Sequence, residues 1–316
     1  MGLRATAIIP TYDHGPTLNL SIPTALDQTV SDIEVFVIGD GVPDVTRSIV
    51  AEFARMDERV RFFDHPKGPR HGEIYRHAAL QEAKGEIVCY LADDDLWLPD
   101  HIESLLELLQ EADFAHTCPA RLEEDGSMWI YPGDLVMHGW RSAVLAGRNF
   151  IPFSMGGHTL ESYRRLPHGW RTTPRGTPTD LYMWQQLLSE PWCRAVSGSR
   201  PTVLNFPASL RPGASVEERV DELEAWARRR DDPDWRGRFV LLVLDFLYRE
   251  RAGLVGRIEA VGRPPEELAA ENAALKAQLD EAYGTATWRM RTELLESPGL
   301  GRLIRWRARR RRGHSA

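Results

Sequence analysis

The chain is expected to fold as an α/β domain around a mostly parallel sheet with helices on both faces. Three features of residues 5–112 carry that expectation. Strand-like and helix-like stretches alternate with short loops. The strand-like stretches are almost uninterruptedly apolar, as strands buried on both faces are. The chemically unusual residues fall where those strands end, at Pro10-Thr11-Tyr12-Asp13, Asp40-Gly41 and Asp93-Asp94-Asp95, and open α/β sheets take their ligands at the carboxyl ends of their strands.

The elements follow in order. Residues 5–12, ATAIIPTY, read as a buried strand that Pro10 ends. Residues 17–28 have helical composition. Residues 33–38, IEVFVI, form a second strand broken by Gly39-Asp40-Gly41, and 44–56 space Val45, Ile49, Phe53 and Met56 at helical intervals. Val60-Arg61-Phe62-Phe63 is a third strand, 72–84 a helix stopped by Gly85, and 86–92 a fourth strand leading into the three aspartates. Pro99 stands where a helix over 100–111 begins. Past residue 113 the pattern is irregular. Strands are expected at 114–121 and 128–131 around Asp125-Gly126, and near 192–197 and 202–206. Helices are expected over 178–189, 216–230 and 235–252, and Phe150 to Met155 is a short apolar run ending at Gly156-Gly157-His158.

Composition excludes several classes. With 316 residues, 42% hydrophobic and 27% charged, the chain has the make-up of a globular protein. Cys89, Cys118 and Cys193 are too few and too scattered for a disulfide framework or a zinc site, and read as reduced thiols of a cytoplasmic protein. No signal peptide or membrane-spanning run is expected; the longest apolar stretch is Phe239 to Leu244. The net charge of −7 hides an asymmetry, because the last 30 residues hold nine Arg and two Glu and leave −14 on the other 286. That tail interleaves Trp288, Leu294, Leu303, Ile304 and Trp306 with its arginines, a pattern suited to an anionic membrane surface. A solvated or protein-binding tail is the alternative, and the acidic body argues against nucleic acid. Before the tail, Leu268, Asn272, Leu275, Leu279 and Ala282 repeat in steps of four and three, a heptad seam compatible with a homodimer, with a solvated helix or with an arm packed on its own domain.

Asp93, Asp94 and Asp95 repel one another at the end of an apolar strand, and a hard divalent cation such as Mg²⁺ or Mn²⁺ relieves that repulsion. An acidic turn capping the next helix is the competing reading. Asp180 starts a helix, where an ionised Asp is a good cap. His158 after two glycines is a ligand contact or a satisfied core histidine. Trp170, Trp184 and Trp192 are an aromatic binding platform or core. His65, His71 and His77 lack metal-ligand spacing.

The order of these pieces resembles the family 2 glycosyltransferases, inverting enzymes with the Rossmann-like GT-A fold. The pieces are a Pro-Thr-Tyr loop, an Asp-Gly after strand two, Ala83-Lys84-Gly85-Glu86, and an apolar strand into Asp-Asp-Asp followed by Leu-Trp-Leu-Pro-Asp. The resemblance covers residues 5–112 well and 113–210 loosely. It implies that Pro10, Thr11 and Tyr12 meet the nucleotide, Asp40 the base, and Arg70 or Arg76 the base or diphosphate. It assigns Asp93 or Asp94 to the ribose or sugar, Asp95 to the metal, and Asp180 to the general base. On the acceptor side it suggests His158 and Trp184.

The implied donor is a UDP- or dTDP-sugar, the cofactor Mn²⁺ or Mg²⁺, and the acceptor a hydroxyl of a glycan or lipid-linked chain at the inner face of the membrane. The expected organisation is a GT-A domain over 1–212, a helical extension over 213–260, a short coiled coil over 261–286 and a basic tail over 287–316. Gly39, Val42, Asp13 and His77 depart from residues common in the family, which keeps a degenerate, non-catalytic binding subunit as the rival. A nucleotidyltransferase would need a Gly-rich first loop that Pro10-Thr11-Tyr12-Asp13-His14-Gly15 does not provide.

Overall fold

A computed structural model describes residues 2–123, 126–131, 133–259, 270, 273 and 274. The expected coiled coil over 261–286, those three residues apart, and the basic tail lie outside them. The chain divides into two compact units: Met1–Arg121 with Tyr131–Ala227, and Leu122–Ile130 with the chain from Arg228 onward.

The first unit is built on a seven-stranded sheet. Its strands are β1 (Ala5–Thr11), β2 (Ile33–Asp40), β3 (Val60–His65), β4 (Ile87–Tyr90), β6 (Phe114–His116), β9 (Gly156–Thr159) and β10 (Ala195–Ser197). They lie in the order β10-β6-β9-β4-β1-β2-β3. β3, β2, β1 and β4 run parallel, β9 runs antiparallel between β4 and β6, and β10 runs parallel to β6. The expected mostly parallel α/β architecture is the one observed. Alternation along β1 sends Ala5, Ala7 and Ile9 to one covered face and Ile8 to the other. Around the sheet lie α1 (Leu18–Leu26), α2 (Asp44–Met56), α3 (Glu73–Leu80), α4 (His101–Leu108), α5 (His138–Leu145), α6 (Leu160–Arg165) and α7 (Thr179–Ser189). Two short strands, β5 (Leu96–Trp97) and β11 (Val203–Leu204), pair antiparallel beside it. The single strand expected over 114–121 is instead broken into β6 and β7 (Ala120–Leu122), whereas β8 (Met128–Ile130) falls where a strand is expected over 128–131. Helices α8 (Val216–Arg230) and α9 (Pro233–Glu259) follow, and the unit boundary falls within α8.

Several boundaries differ from the sequence expectation for physical reasons. Pro10 does not end β1. It lies on the same side of the backbone as Ile8, where β4 has already finished pairing at Tyr90, so its missing N–H costs no ladder bond. Helix α3 stops at Leu80, before Gly85. Gly85 is there for close approach: a Cβ on it would stand 2.3 Å from the backbone of Ala5. Pro99 precedes the Asp100 cap of α4 instead of opening the helix. The run Phe150 to Met155 is not a strand; it ends in a 3₁₀ turn, and the strand is the glycine-led β9 after it. Helices α5 and α6 have no counterpart in the sequence reading. All three cysteines are buried and unpaired, as expected.

Candidate active site

The parallel register sets Thr11 beside Gly39 and Asp40 beside His65, so the ends of β1, β2 and β3 form one rim. Beyond that rim lies a pocket of about 510 Å³, a size that suits a small-molecule ligand. Its wall brings together Pro10, Thr11, Tyr12, Asp40, Arg70, Arg76 and Asp93, all singled out by sequence. Asp13, His14, Lys67, His71, Phe153 and Thr179 join them.

Tyr12 presents an open ring, 47% exposed, with the Lys67 ammonium 5.1 Å from its centroid. Asp40 is buried. Its Oδ1 accepts from the backbone N–H of Gly68 at 2.6 Å, and its Oδ2 from Lys67 Nζ. The loop from Lys67 to Gly72 therefore hangs on Asp40. Arg70 holds a left-handed backbone, φ 55°, a conformation that is uncommon outside glycine. Gly72, φ 63°, caps α3 directly against the same aspartate, where a Cβ would lie 2.6 Å from Asp40 Cγ.

Arg76 on α3 is buried under the pocket. It donates to the His71 carbonyl at 3.0 Å and to Thr179 Oγ1 at 3.3 Å, and it packs 4.8 Å from the Trp170 ring. Its Nε donor has no partner, and burial lowers its pKa. The hydroxyl of Thr11, also buried and on the wall, is unpartnered too. Orphaned polar atoms of this kind fit a polyanionic or hydroxyl-bearing ligand. Beside them Glu73, which the sequence reading missed, accepts from Thr179 Oγ1 at 3.1 Å and from the Thr173 N–H at 3.4 Å, tying α3 to the start of α7.

The three aspartates separate. Asp93 faces the pocket, with His14 Nδ1 3.6 Å from its Oδ1. The nearby negative charge of that carboxylate raises His14 to about 9. Asp94 lies behind the wall, ion-paired to Arg219 of α8, and burial together with the Asp95 and Asp93 charges raises it to about 7. Asp95 points away. The β5–β11 ladder sets Asn205 and Phe206 beside it, so its oxygens accept from Asn205 Nδ2 at 2.9 Å, the Phe206 N–H at 2.8 Å and the Ser154 hydroxyl. This corrects the expected metal role of Asp95, whose oxygens are already taken. Among the described residues the cluster able to hold a cation is His14, Asp93 and Asp94, with one donor atom from each lying within 4.8 Å of the others. Two carboxylates suit Mn²⁺ or Mg²⁺, the imidazole favours Mn²⁺ over Mg²⁺, and binding at His14 would release its proton.

Asp180, in the first turn of α7, sits next to wall residue Thr179. Its Oδ1 accepts from Asn149 Nδ2 at 3.0 Å and from the Leu181 N–H at 2.8 Å, and burial raises its pKa. Among the described residues, no donor from another residue bonds Oδ2. A carboxylate with a raised pKa and one open oxygen is chemically suited to take a proton.

The acceptor-side expectations are corrected. His158 is fully buried within β9, bonded to the Tyr90 hydroxyl at 2.7 Å and the Thr159 carbonyl at 2.9 Å, and burial lowers it to about 4. Trp184 is fully buried, donates to the Ile151 carbonyl at 3.0 Å and packs against Phe114 and Tyr90. Trp170 is buried, and Trp192 lies under Arg165, so none of the three tryptophans is on the pocket wall. Of the residues that sequence reasoning missed, His14 was signalled by its place in the first loop. Arg219 lies 125 residues from Asp94 and carried no local signal.

Comparison with known proteins agrees with this architecture. The crystal structure of S. aureus TarS 1-349 in complex with UDP-GlcNAc superposes with a TM-score of 0.51 at 14% identity, over 79% of this chain and 73% of that one. This is a likeness of fold, the GT-A fold. In sequence, the chain is 28% identical over 191 residues to a Bacillus subtilis protein named as a teichuronic acid biosynthesis glycosyltransferase, TuaG. That match covers 58% of this chain and 72% of TuaG. It is 27% identical over 129 residues to the Campylobacter jejuni GalNAc(5)-diNAcBac-PP-undecaprenol beta-1,3-glucosyltransferase, over 40% of each protein. It is 30% identical over 127 residues to an uncharacterized glycosyltransferase of Rickettsia bellii, of which it spans 18%. The family model described as glycosyl transferase family 2 matches residues 6–165, half of the sequence, and the chain belongs to that family.

Proposed function

We propose that the chain transfers a sugar from a UDP- or dTDP-linked donor to a hydroxyl of a glycan or lipid-linked acceptor, with inversion at the anomeric carbon. The observation that carries the reading is the pocket at the sheet's carboxyl edge. There an open aromatic ring, a buried carboxylate at the base end and a buried guanidinium with an unpartnered donor face one cavity. The solved fold neighbour bound to UDP-GlcNAc and the relatives named for teichuronic acid and undecaprenol-linked chains support the substrate classes.

In this reading Tyr12 stacks on the base, Asp40 receives its N–H, and Thr11 takes a ribose or phosphate oxygen. Arg76 holds the diphosphate. His14, Asp93 and Asp94 would hold a divalent cation, whose chemistry there is neutralisation of the leaving diphosphate. Asp180 accepts the proton of the attacking hydroxyl at Oδ2, while Asn149 and Leu181 fix its other oxygen. The tail over 287–316 is proposed to rest on anionic lipid near such acceptors, on its sequence alone. No described helix is long and apolar enough to cross a membrane.

The test is thermal-shift and transfer assays with UDP-, dTDP- and GDP-sugars, each with and without Mn²⁺. A Mn²⁺-dependent stabilisation by UDP- or dTDP-sugars with turnover supports the reading. Stabilisation without turnover to any offered acceptor or to water favours the non-catalytic binding subunit.

A further inference from the structure

Helix α9 of the second unit carries two apolar faces. On one, Trp235, Phe239 and Val243 are buried, the Trp235 and Phe239 rings stack at 5.0 Å, and Phe246 meets Trp129 of β8 edge-on at 5.6 Å. On the other, Val240 is 42% exposed, Leu241 65%, Leu244 56%, Tyr248 69% and Leu254 51%. At the helical pitch these five fall within an arc of about 140°. A surface helix ordinarily turns one apolar stripe inward and polar groups outward, and a contiguous exposed stripe marks an interaction site.

We propose that this face is the interface between two copies of the chain, packed in parallel along α9. The choice of a second copy rests on sequence and charge. Every seventh residue from Val240 through Leu247, Leu254, Val261, Leu268 and Leu275 to Ala282 is apolar, one of the two positions of a two-helix seam, and the companion positions hold Leu244, Arg251, Ile258, Pro265, Asn272 and Leu279. Pro264 and Pro265 interrupt the run at a point where a new helix can start, and Asn272 stands at the companion seam position, where it fixes the register of parallel pairs. A second copy offers the same stripe in the same order, as a two-fold interface requires. Charge disfavours an anionic membrane as the occupant. From Pro233 to Glu259 five Arg are interspersed with two Asp and two Glu, whereas a helix that lies on such a membrane has a strongly basic polar face. The proposal is independent of the catalytic reading.

The test is light scattering after gel filtration of the full chain and of the Leu241→Glu/Leu244→Glu variant. Wild type is expected at twice 35.9 kDa and the variant at one copy, with unchanged circular dichroism because both side chains are exposed. Leu244→Cys is expected to form an intermolecular disulfide on mild oxidation. The native cysteines are buried and give wild type no such product. A wild type at one-copy mass overturns the proposal, as does a variant that keeps the two-copy mass. A one-copy wild type that binds vesicles of anionic phospholipid, and loses that binding in the variant, reassigns the face to membrane.

Discussion

Residues 5–100 and residues 113–227 contribute to the pocket in different ways. In the first stretch, loops at the ends of parallel strands place Thr11, Tyr12, Asp40 and Asp93 directly on the wall, each within a few residues of its strand. From the second, Phe153 and Thr179 reach the wall, while Ser154, Asn205 and Arg219 act from behind on Asp95 and Asp94. The first stretch supplies surfaces for a ligand. The second fixes the aspartates and brings Asp180. A parallel sheet explains the division, because its loops converge on one edge whatever their sequence, whereas support from behind depends on long-range packing.

Asp180→Asn tests the contribution of the second stretch most directly. It is expected to lower kcat on the order of 10²- to 10⁴-fold while donor affinity changes little. Both hydrogen bonds to Oδ1 survive in the amide. Burial raises the Asp180 pKa, so its folded value exceeds its unfolded one and ionisation of this group costs stability as pH rises through the folded value. The variant should therefore melt slightly higher than wild type at neutral pH, and the acid limb of the wild-type pH–rate profile should lie above the ordinary carboxylate range. Full activity in the variant would mean that the second stretch supplies no base.

Next in size, Arg76→Met removes the buried guanidinium and should weaken donor binding roughly 10- to 100-fold, the scale of a charge-assisted hydrogen bond. Isothermal titration with UDP and dTDP checks it, and unchanged affinity would remove Arg76 from the diphosphate site. Asp93→Asn and Asp95→Ala should then separate the two kinds of contribution. Asp93→Asn is expected to weaken Mn²⁺ binding and, by losing the charge that raises partly exposed His14, to cost less stability than the second variant. Asp95→Ala strands two buried N–H donors and should cost about 2–4 kcal/mol in chemical denaturation. The reverse pattern would return the metal role to Asp95.

The smallest effects belong to the core. His158 is held near 4, below its unfolded value, so the unfolded chain binds more protons between those limits. Its stabilising contribution is complete above about 6.5 and is lost as pH falls towards 4. His158→Gln should flatten that acid slope and leave the acceptor KM unchanged.

Much of this was legible in the sequence. Helix α2 matches residue for residue, because its helical spacing starts directly after Pro43, although Val45 and Met56 of that spacing are exposed and Thr46 and Val50 form the buried face. The wall residues were legible because strand-end loops keep functional groups close together in the chain. Asp95 was misread because Asn205 and Phe206 lie 110 and 111 residues away from it, and nothing local distinguishes one aspartate of three. His158 and Trp184 were misread because a polar or aromatic residue near glycines looks the same whether it faces solvent or core; only burial decides. Helix α6 has six residues, too few for a periodicity to register, and β9 begins with two glycines, which lack strand propensity.

The tether of the Lys67–Gly72 loop to Asp40 has a consequence for energetics. The loop is ordered by bonds among protein groups, so a nucleotide that docks there does not have to freeze it. Donor recognition at the base end should consequently show a small entropic penalty for loop ordering, and a faster association than a loop folding around its ligand would allow. Asp40→Ala would convert this preorganised rim into one that binding must assemble, slowing association as well as removing a contact.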